Sequence, residues 1–329
     1  MSSMQKHSVW LSLIMLMLLL SLVSTSMGSK QIPLMETLRV FFTDADSPYR
    51  MIIQDLRLPR VTAAILVGAA LAVSGTILQG IIRNPLAAPD LIGVTGGASV
   101  AAVSFLVFTG GTYSIHWLPL VAIGGALLTT FLNYLLAWKN GVSPFRLVLI
   151  GIGIATAMGA ITTFLLLVDD AYQASQILGW LTGTLYGTAW KHVISLLPWV
   201  FGFLLMTFFL SKELDVQAFG DELAVGLGSP VQKNRLLLLL CSVALAGAAV
   251  GIAGGVAFIG LMAPHMARQL VGPVHRMLLP VAALVGAVLL LAADLVGRIS
   301  FSPLDIPAGV FTASIGAPFF LYLLFRKRS

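Results

Sequence analysis

The sequence predicts an all-α fold, a polytopic membrane bundle of about ten crossing helices forming one transmembrane domain over residues 1–329. Three observations carry that prediction. Hydrophobic residues make up 58% of the chain and charged residues only 10%, whereas an ordinary soluble domain carries about a quarter charged residues. Mean hydropathy is +0.97. Apolar windows recur along the whole sequence, most of them near the length of about 20 residues that spans a bilayer core.

The windows lie near residues 8–27, 61–82, 92–109, 117–138, 145–168, 193–211, 236–257, 278–296 and 307–325. A tenth, shorter one falls within 258–272, FIGLMAPHMARQLVG, which carries Pro264, His265 and Arg268. The first window follows Lys6 and His7 and resembles a secretory signal peptide, but its length suits an uncleaved first crossing. The second, Val61–Ile82, holds 22 residues without a charge. Gly68, Gly75 and Gly80 stand there among Ala69, Ala70, Ala72 and Ser74, which offers small faces for close helix contact. A faint echo at an offset of 179 residues matches Gly68, Gly75 and Pro85 to Gly247, Gly254 and Pro264. It suggests an inverted repeat whose halves carry proline-interrupted elements at 84–93 and 263–272.

Ten crossings place both termini on one side, and the positive-inside bias makes that side cytoplasmic. Lys6, Lys139, Arg146, Lys212, Lys233, Arg235, Arg276 and the Arg326–Lys327–Arg328 end then share it. Arg57, Arg60 and Arg298 land at outer helix ends, against the bias. Either they snorkel or pair locally, as the four-residue step from Asp294 to Arg298 permits, or a function holds them there. One inner segment, 212–235, is too polar to insert. Asp221 and Glu222 open a turn of helix there, Phe219, Leu223, Ala224 and Leu227 give an intermittent apolar face, and Gly228 and Pro230 close it. It reads as a helix lying against another protein or as a solvated connector. The polar stretch from Asp169 to His192 falls outside, where Trp180, Tyr186 and Trp190 suit the membrane interface.

Several classes of function are excluded. No Gly-x-x-x-x-Gly-Lys-Ser/Thr sequence occurs, so no phosphate-cradling loop is expected and the chain does not hydrolyse ATP itself. Five histidines and one cysteine lack metal-ligand spacing, and no cofactor is expected. Cys241 has no partner in the chain for a disulfide and reads as a packed residue. No basic run interleaved with aromatics appears, so the net charge of +6 does not indicate nucleic-acid binding. An ion-coupled secondary transporter and a membrane scaffold remain as rival readings of the bundle.

Four stretches carry a resemblance: RLPR at 57–60, GAALAVSGTILQGIIRNPLAAPDLIGV at 68–94, FIGLMAPHMARQLVG at 258–272, and LLPVAALVGAVLLLAADLVGR followed by DIPAGVFTASIGAPFFLYLL. They resemble the FecCD-type, BtuC-like permeases of bacterial ABC importers for iron-siderophores, haem and cobalamin. The resemblance implies a ten-helix permease subunit of the cell membrane that imports ferric siderophores. Its partners would be a second permease, a paralogue of this chain, two ATPase subunits and an extracytoplasmic siderophore-binding protein. It implies that Arg57, Arg60 and Arg298 meet acidic residues of the binding protein. Gly220, Asp221, Glu222, Ala224, Leu227, Gly228 and Pro230 would form the segment seated in the ATPase. Ser143 and Pro144 occupy the cytoplasmic gate position, Pro144 departing from the family pattern, and the fifth and tenth crossings would line the pathway.

Overall fold

The computed structural model describes residues 3–43, 47–110, 113–114, 116–139, 141–168, 171–302 and 304–326. Lys327, Arg328 and Asp169 lie outside them, as do the side chains of Lys6 and Arg326. The chain is helical almost throughout. In order come α1 (Ser3–Ser26), α2 (Leu34–Phe42), a π turn (Ile52–Arg57) running into α3 (Leu58–Ile82), a 3-10 turn (Pro89–Ile92), α4 (Val94–Thr109), α5 (Trp117–Ala137) and α6 (Pro144–Val168). They are followed by α7 (Ala171–Leu181), α8 (Trp190–Phe209), α9 (Ser211–Ala218), α10 (Asp221–Gly226), α11 (Val231–Ala253), α12 (Ile259–Val271), α13 (His275–Ser300) and α14 (Ala308–Arg326). Among the described residues, seven helical spans are long and apolar enough to cross a membrane, and α4 and α14 are shorter apolar helices.

Hydrogen bonds between helix ends fix the alternation of the crossings. At one edge, here the far edge, the end of α1 meets the start of α3 and the end of α13. Trp190 at the start of α8 donates to the Gln54 carbonyl there, and the Gly309 amide at the start of α14 donates to Gly183. At the opposite, near edge, the end of α3 meets α10, the start of α11 meets the α5–α6 turn, and the start of α13 meets α9. Antiparallel neighbours joined this way leave each crossing's backbone polar groups satisfied within its own helix, as lipid demands.

Small residues determine where the bundle is tightest. A Cβ at Gly68 would fall 2.3 Å from the Gly286 carbonyl oxygen, and one at Gly75 would fall 1.8 Å from that of Gly260. No side chain fits at either point, so α3 lies backbone to backbone against α13 and α12. Without a hydrophobic drive between helices in lipid, such close van der Waals packing is what holds them. Beside this seam Ser74 and Ser242 join α3 to α11, their hydroxyls 2.8 Å apart. Cys241 is fully buried in the same region, a packed residue as its setting in the sequence suggests. Spans α3, α11 and α13 form the buried centre, whereas α1, α6 and α8 carry the most exposed apolar surface.

The tenth window is a broken crossing. Its helix, α12, has 13 residues, about 20 Å at 1.5 Å per residue, too short to span. The chain reaches it through 254–258, an unwound segment that starts against the Trp180 carbonyl and ends with Phe258 packed on Gly316, inside the bundle. Phe258 has φ +66°, a left-handed conformation that is strained for a bulky residue. The proline-interrupted element expected at 263–272 is therefore not there. Pro264 sits within α12, and the break lies ten residues earlier, because the glycines of Gly254–Gly255 rather than the proline unwind the chain. α4 packs on α5 as α12 packs on α13, while α3 packs on α13 and α11 on α5. Four helices outside the ten windows, α2, α7, α9 and α10, complete the chain.

Candidate functional site

The far edge gathers the three arginines that stand on the unexpected side, and all three are buried. Arg57 closes the π turn and Arg60 lies one turn on in α3, with Pro59 in the first turn where its missing N–H costs nothing. Arg60 is gripped by two carboxylates. Its Nε donates to both Asp294 oxygens at 2.9 and 3.0 Å, Nη2 donates to Asp294 at 2.8 Å and to Asp305 at 2.9 Å, and Nη1 donates to Asp305 at 2.5 Å. The pairing of Asp294 with Arg298 expected from their spacing is corrected here: Asp294 turns inward to Arg60 across the α3–α13 contact, where a bidentate guanidinium is the stronger partner.

Arg57 and Arg298 are held differently. Arg57 Nη1 donates to the carbonyls of Thr25 at 2.8 Å and Ser26 at 2.7 Å, and its Nη2 donates to that of Lys30. Arg298 Nη2 donates to the Ser24 carbonyl and, at 2.7 Å, to its hydroxyl. Its Nε is buried without a partner among the described residues. Among the described residues neither guanidinium has a carboxylate in hydrogen-bonding reach, although Asp294 and Asp305 act on Arg298 from farther off. Arg57 and Arg298 share with Arg60, Asp305, Asp55 and Lys30 a cavity of about 510 Å³ that also touches Tyr186 and Thr188.

At the near edge the polar segment 212–235 folds as two short helices, α9 and α10, hinged at Gly220, whose φ of +102° favours glycine. Asp221 opens α10, Ala224 is buried beneath it, and Glu222, Leu223, Val225 and Leu227 point outward. Phe219 is exposed beside them, Gly228 ends the helix with φ +80°, and Pro230 caps α11. Asp221 Oδ1 accepts from Arg235 Nη2 at 2.7 Å and lies 3.2 Å from Arg83 Nη2. The other end of the Arg235 fork donates to the Val142 carbonyl at 2.9 Å.

Val142 directly precedes Ser143, the residue before α6, and Pro144, its first residue. Pro144 takes the first helical position, where proline is tolerated. Gly220, Asp221, Glu222, Ser143 and Pro144 therefore line one cavity of about 610 Å³, together with Arg83, Lys139 and Arg146. A second tie joins the segment to α13: Asp215 of α9 accepts from the His275 amide at 2.9 Å and sits 2.7 Å from its Nδ1. Between the two edges, α6 presents Ala155, Gly159 and Thr162 to a groove of about 340 Å³ completed by Asp90, Thr95, Ser99, Gly255 and Ala257. Apart from Asp90 and Leu181, small and hydroxylated residues line it.

A model of the FecCD transport family matches residues 15–326. The chain belongs to that family. The achromobactin transport system permease protein CbrC of Dickeya dadantii is 46% identical over 315 residues, 96% of this chain and 90% of its own length. YfhA of Bacillus subtilis, assigned as a siderophore transport system permease protein, is 45% identical over 326 residues, 98% of this chain and 95% of its own. A solved ABC transporter in an inward-facing conformation, assigned to the metal-chelate type, superimposes with a TM-score of 0.84 at 29% identity, over 97% of this chain and 99% of that one. A FecCD chain is a multi-pass permease subunit of the cell membrane and not an enzyme. Its ATPase activity and its substrate-binding protein are supplied by partner chains.

Several residues of these edges escape a reading of the sequence. Asp305 and Arg83 lie within stretches that carry the resemblance but have no role legible from them, Val142 carries no motif, and Arg235 reads only as one more cation on its side of the membrane. Asp305 meets Arg60 from 245 positions away. The one available signal was Asp305 itself, an acidic residue in the short connection before the last crossing.

Proposed function

We propose that this FecCD chain passes intact ferric siderophores across the cell membrane as one of two permease subunits, the other a paralogue. In this reading the far edge faces outward and the near edge, with both termini, faces the cytoplasm. The supporting observation is the pairing of two unlike edges on one bundle. One bears Arg57 and Arg298, buried without a carboxylate in hydrogen-bonding reach among the described residues, and the other bears a short helix with an exposed apolar face tied to the start of a groove-lining crossing. A siderophore-binding protein would bring acidic side chains to Arg57 and Arg298, with Arg60 behind them, and such charges set orientation and encounter rate more than affinity.

On the cytoplasmic side α10 would seat in an ATPase subunit through Phe219, Leu223 and Leu227. Closure of the ATPase pair on ATP would pull Asp221 and, through Arg235, the Val142–Ser143–Pro144 turn that begins α6. A groove of alanine, glycine, serine and threonine lets a bulky chelate slide without gripping it, so selection rests with the binding protein. The high identity to permeases of siderophore systems favours that cargo.

Uptake of radiolabelled ferric chelates by cells lacking this chain tests the reading. Loss of uptake of at least one ferric siderophore, restored by the gene and abolished by an ATPase-dead partner, is expected. Unchanged uptake of every siderophore the host uses, or accumulation driven by an ion gradient without ATP, would overturn it.

A further inference from the structure

One feature of the far edge has no part in docking or coupling: α2. Helical spacing places Leu34, Met35, Leu38, Phe41 and Phe42 on one arc of about 120°. Leu34, Met35, Phe41 and Phe42 are exposed, Phe42 to 83%. A neighbouring arc, Thr37 and Val40, is buried against Ile32 and Ile53 and so fixes how the helix rolls. The polar residues, Glu36 and Arg39, pair at 3.6 Å on the remaining side. The exposed stripe is therefore held out by the fold, not left there by fraying.

We infer that α2 is an amphipathic anchor whose exposed stripe lies in the headgroup and acyl boundary of the bilayer. Its depth follows from its attachment. The Ile32 amide donates to the Ser26 carbonyl at 3.1 Å and Ser26 Oγ donates back to the Ile32 carbonyl at 2.6 Å. The chain is thus pinned beside the last turn of α1 just before α2 begins. That crossing is the one most open to lipid, with 11% of its span buried and Leu11, Met15, Leu18 and Leu19 exposed. Tied to the end of that crossing, α2 begins near the level where the hydrocarbon ends. A helix with opposed apolar and charged faces settles about 5–10 Å into that boundary. The inference is independent of the cargo and of which edge faces outward.

Single cysteines at 34, 38, 41 and 42, and at 36 and 39 for comparison, can carry a nitroxide label, since the native Cys241 is buried. With the full chain in phosphatidylcholine nanodiscs, relaxation by dissolved oxygen should exceed that by a water-soluble nickel chelate several-fold at 34, 38, 41 and 42. The order should reverse at 36 and 39. Equal nickel access at all six positions would overturn the inference, as would shielding of 41 and 42 that appears only when a binding protein or second permease is added. A Phe41→Asp, Phe42→Asp double variant gives an independent reading: its melting temperature should fall in nanodiscs and stay unchanged in detergent. An equal fall in both media would overturn the lipid assignment in favour of intramolecular packing.

Discussion

Arg235 and Asp221 meet at 2.7 Å, joining the first turn of α11 to the first residue of α10, and the same guanidinium holds the Val142 carbonyl. Arg235 is wholly buried, whereas Asp221 is part-exposed and shared with Arg83. The fork thus bridges α10, the helix proposed to seat in the ATPase, to the turn before α6.

Replacing Arg235 by glutamine shortens the side chain and removes the charge. It strips the Val142 carbonyl of its donor, a loss of about 1–3 kcal/mol for a buried acceptor. Transport should collapse while ATP hydrolysis by the assembled complex continues, raising the ATP consumed per chelate delivered. Asp221→Asn should do less, because its exposed carboxylate is worth little. Reconstituted complexes assayed for both rates decide this, and an unchanged ratio in R235Q would count against the bridge.

Arg60 has a structural duty apart from any docking. Truncating it to alanine leaves Asp294, whose side chain is fully buried, as an unpaired charge, and breaking such a pair costs about 3–5 kcal/mol. The R60A chain should melt markedly earlier in detergent, and adding Asp294→Asn should recover part of the loss. A double-mutant cycle measures the coupling; additive effects would deny the pair.

Arg57 and Arg298 should behave otherwise. Arg57→Gln removes the charge and, ending two bonds short of Nη1, also leaves the Thr25 and Ser26 carbonyls without that donor, at a cost of about 1–3 kcal/mol that the fold should survive. The association rate of a binding protein should fall, and its dependence on salt should weaken. Stopped-flow binding at several ionic strengths reads both, and an unaltered salt slope would separate Arg57 from docking.

Leu223 and Leu227 touch nothing that their loss would unsettle, being exposed at 62% and 69%. Aspartate at both should leave thermal stability within about 0.5 kcal/mol, as surface substitutions do. The ATPase subunits should no longer co-purify. Retention of the full complex would show that α10 is not the seat.

Gly75→Val should be among the most damaging single changes in the bundle. Its branched side chain would enter the space of the Gly260 carbonyl, 1.8 Å from the first added carbon. Overpacking of this kind costs about 1–3 kcal/mol or more. Lower membrane abundance and an earlier thermal transition are expected, and a normal chain would mean that α3 and α12 separate easily.

Much of this architecture was legible because lipid imposes it. Uncharged length marks a crossing, so all ten windows correspond to helices. The short helix at Asp221 was visible from its acidic first turn and its punctuation by Gly228 and Pro230. Long-range choice was not visible. Asp294 has Arg298 four residues away and takes Arg60 instead, because helix packing, not sequence distance, sets which guanidinium is in reach. The break before α12 was misplaced for a related reason: Pro264 looks like the interruption, but a proline is absorbed where neighbouring helices satisfy the freed carbonyl. A left-handed Phe258 leaves no mark in the sequence at all. Nor did the stretch after Asp169 betray α7.

The backbone contacts at Gly68 and Gly75 leave α3, α12 and α13 little freedom to slide, since any displacement must first pull two main chains apart. They form the stator of the machine. On the proposed coupling, motion driven through α10 is expressed by the outer parts, α6 foremost, swinging about a spine that stays still, so distances measured within the spine should not change over a transport cycle.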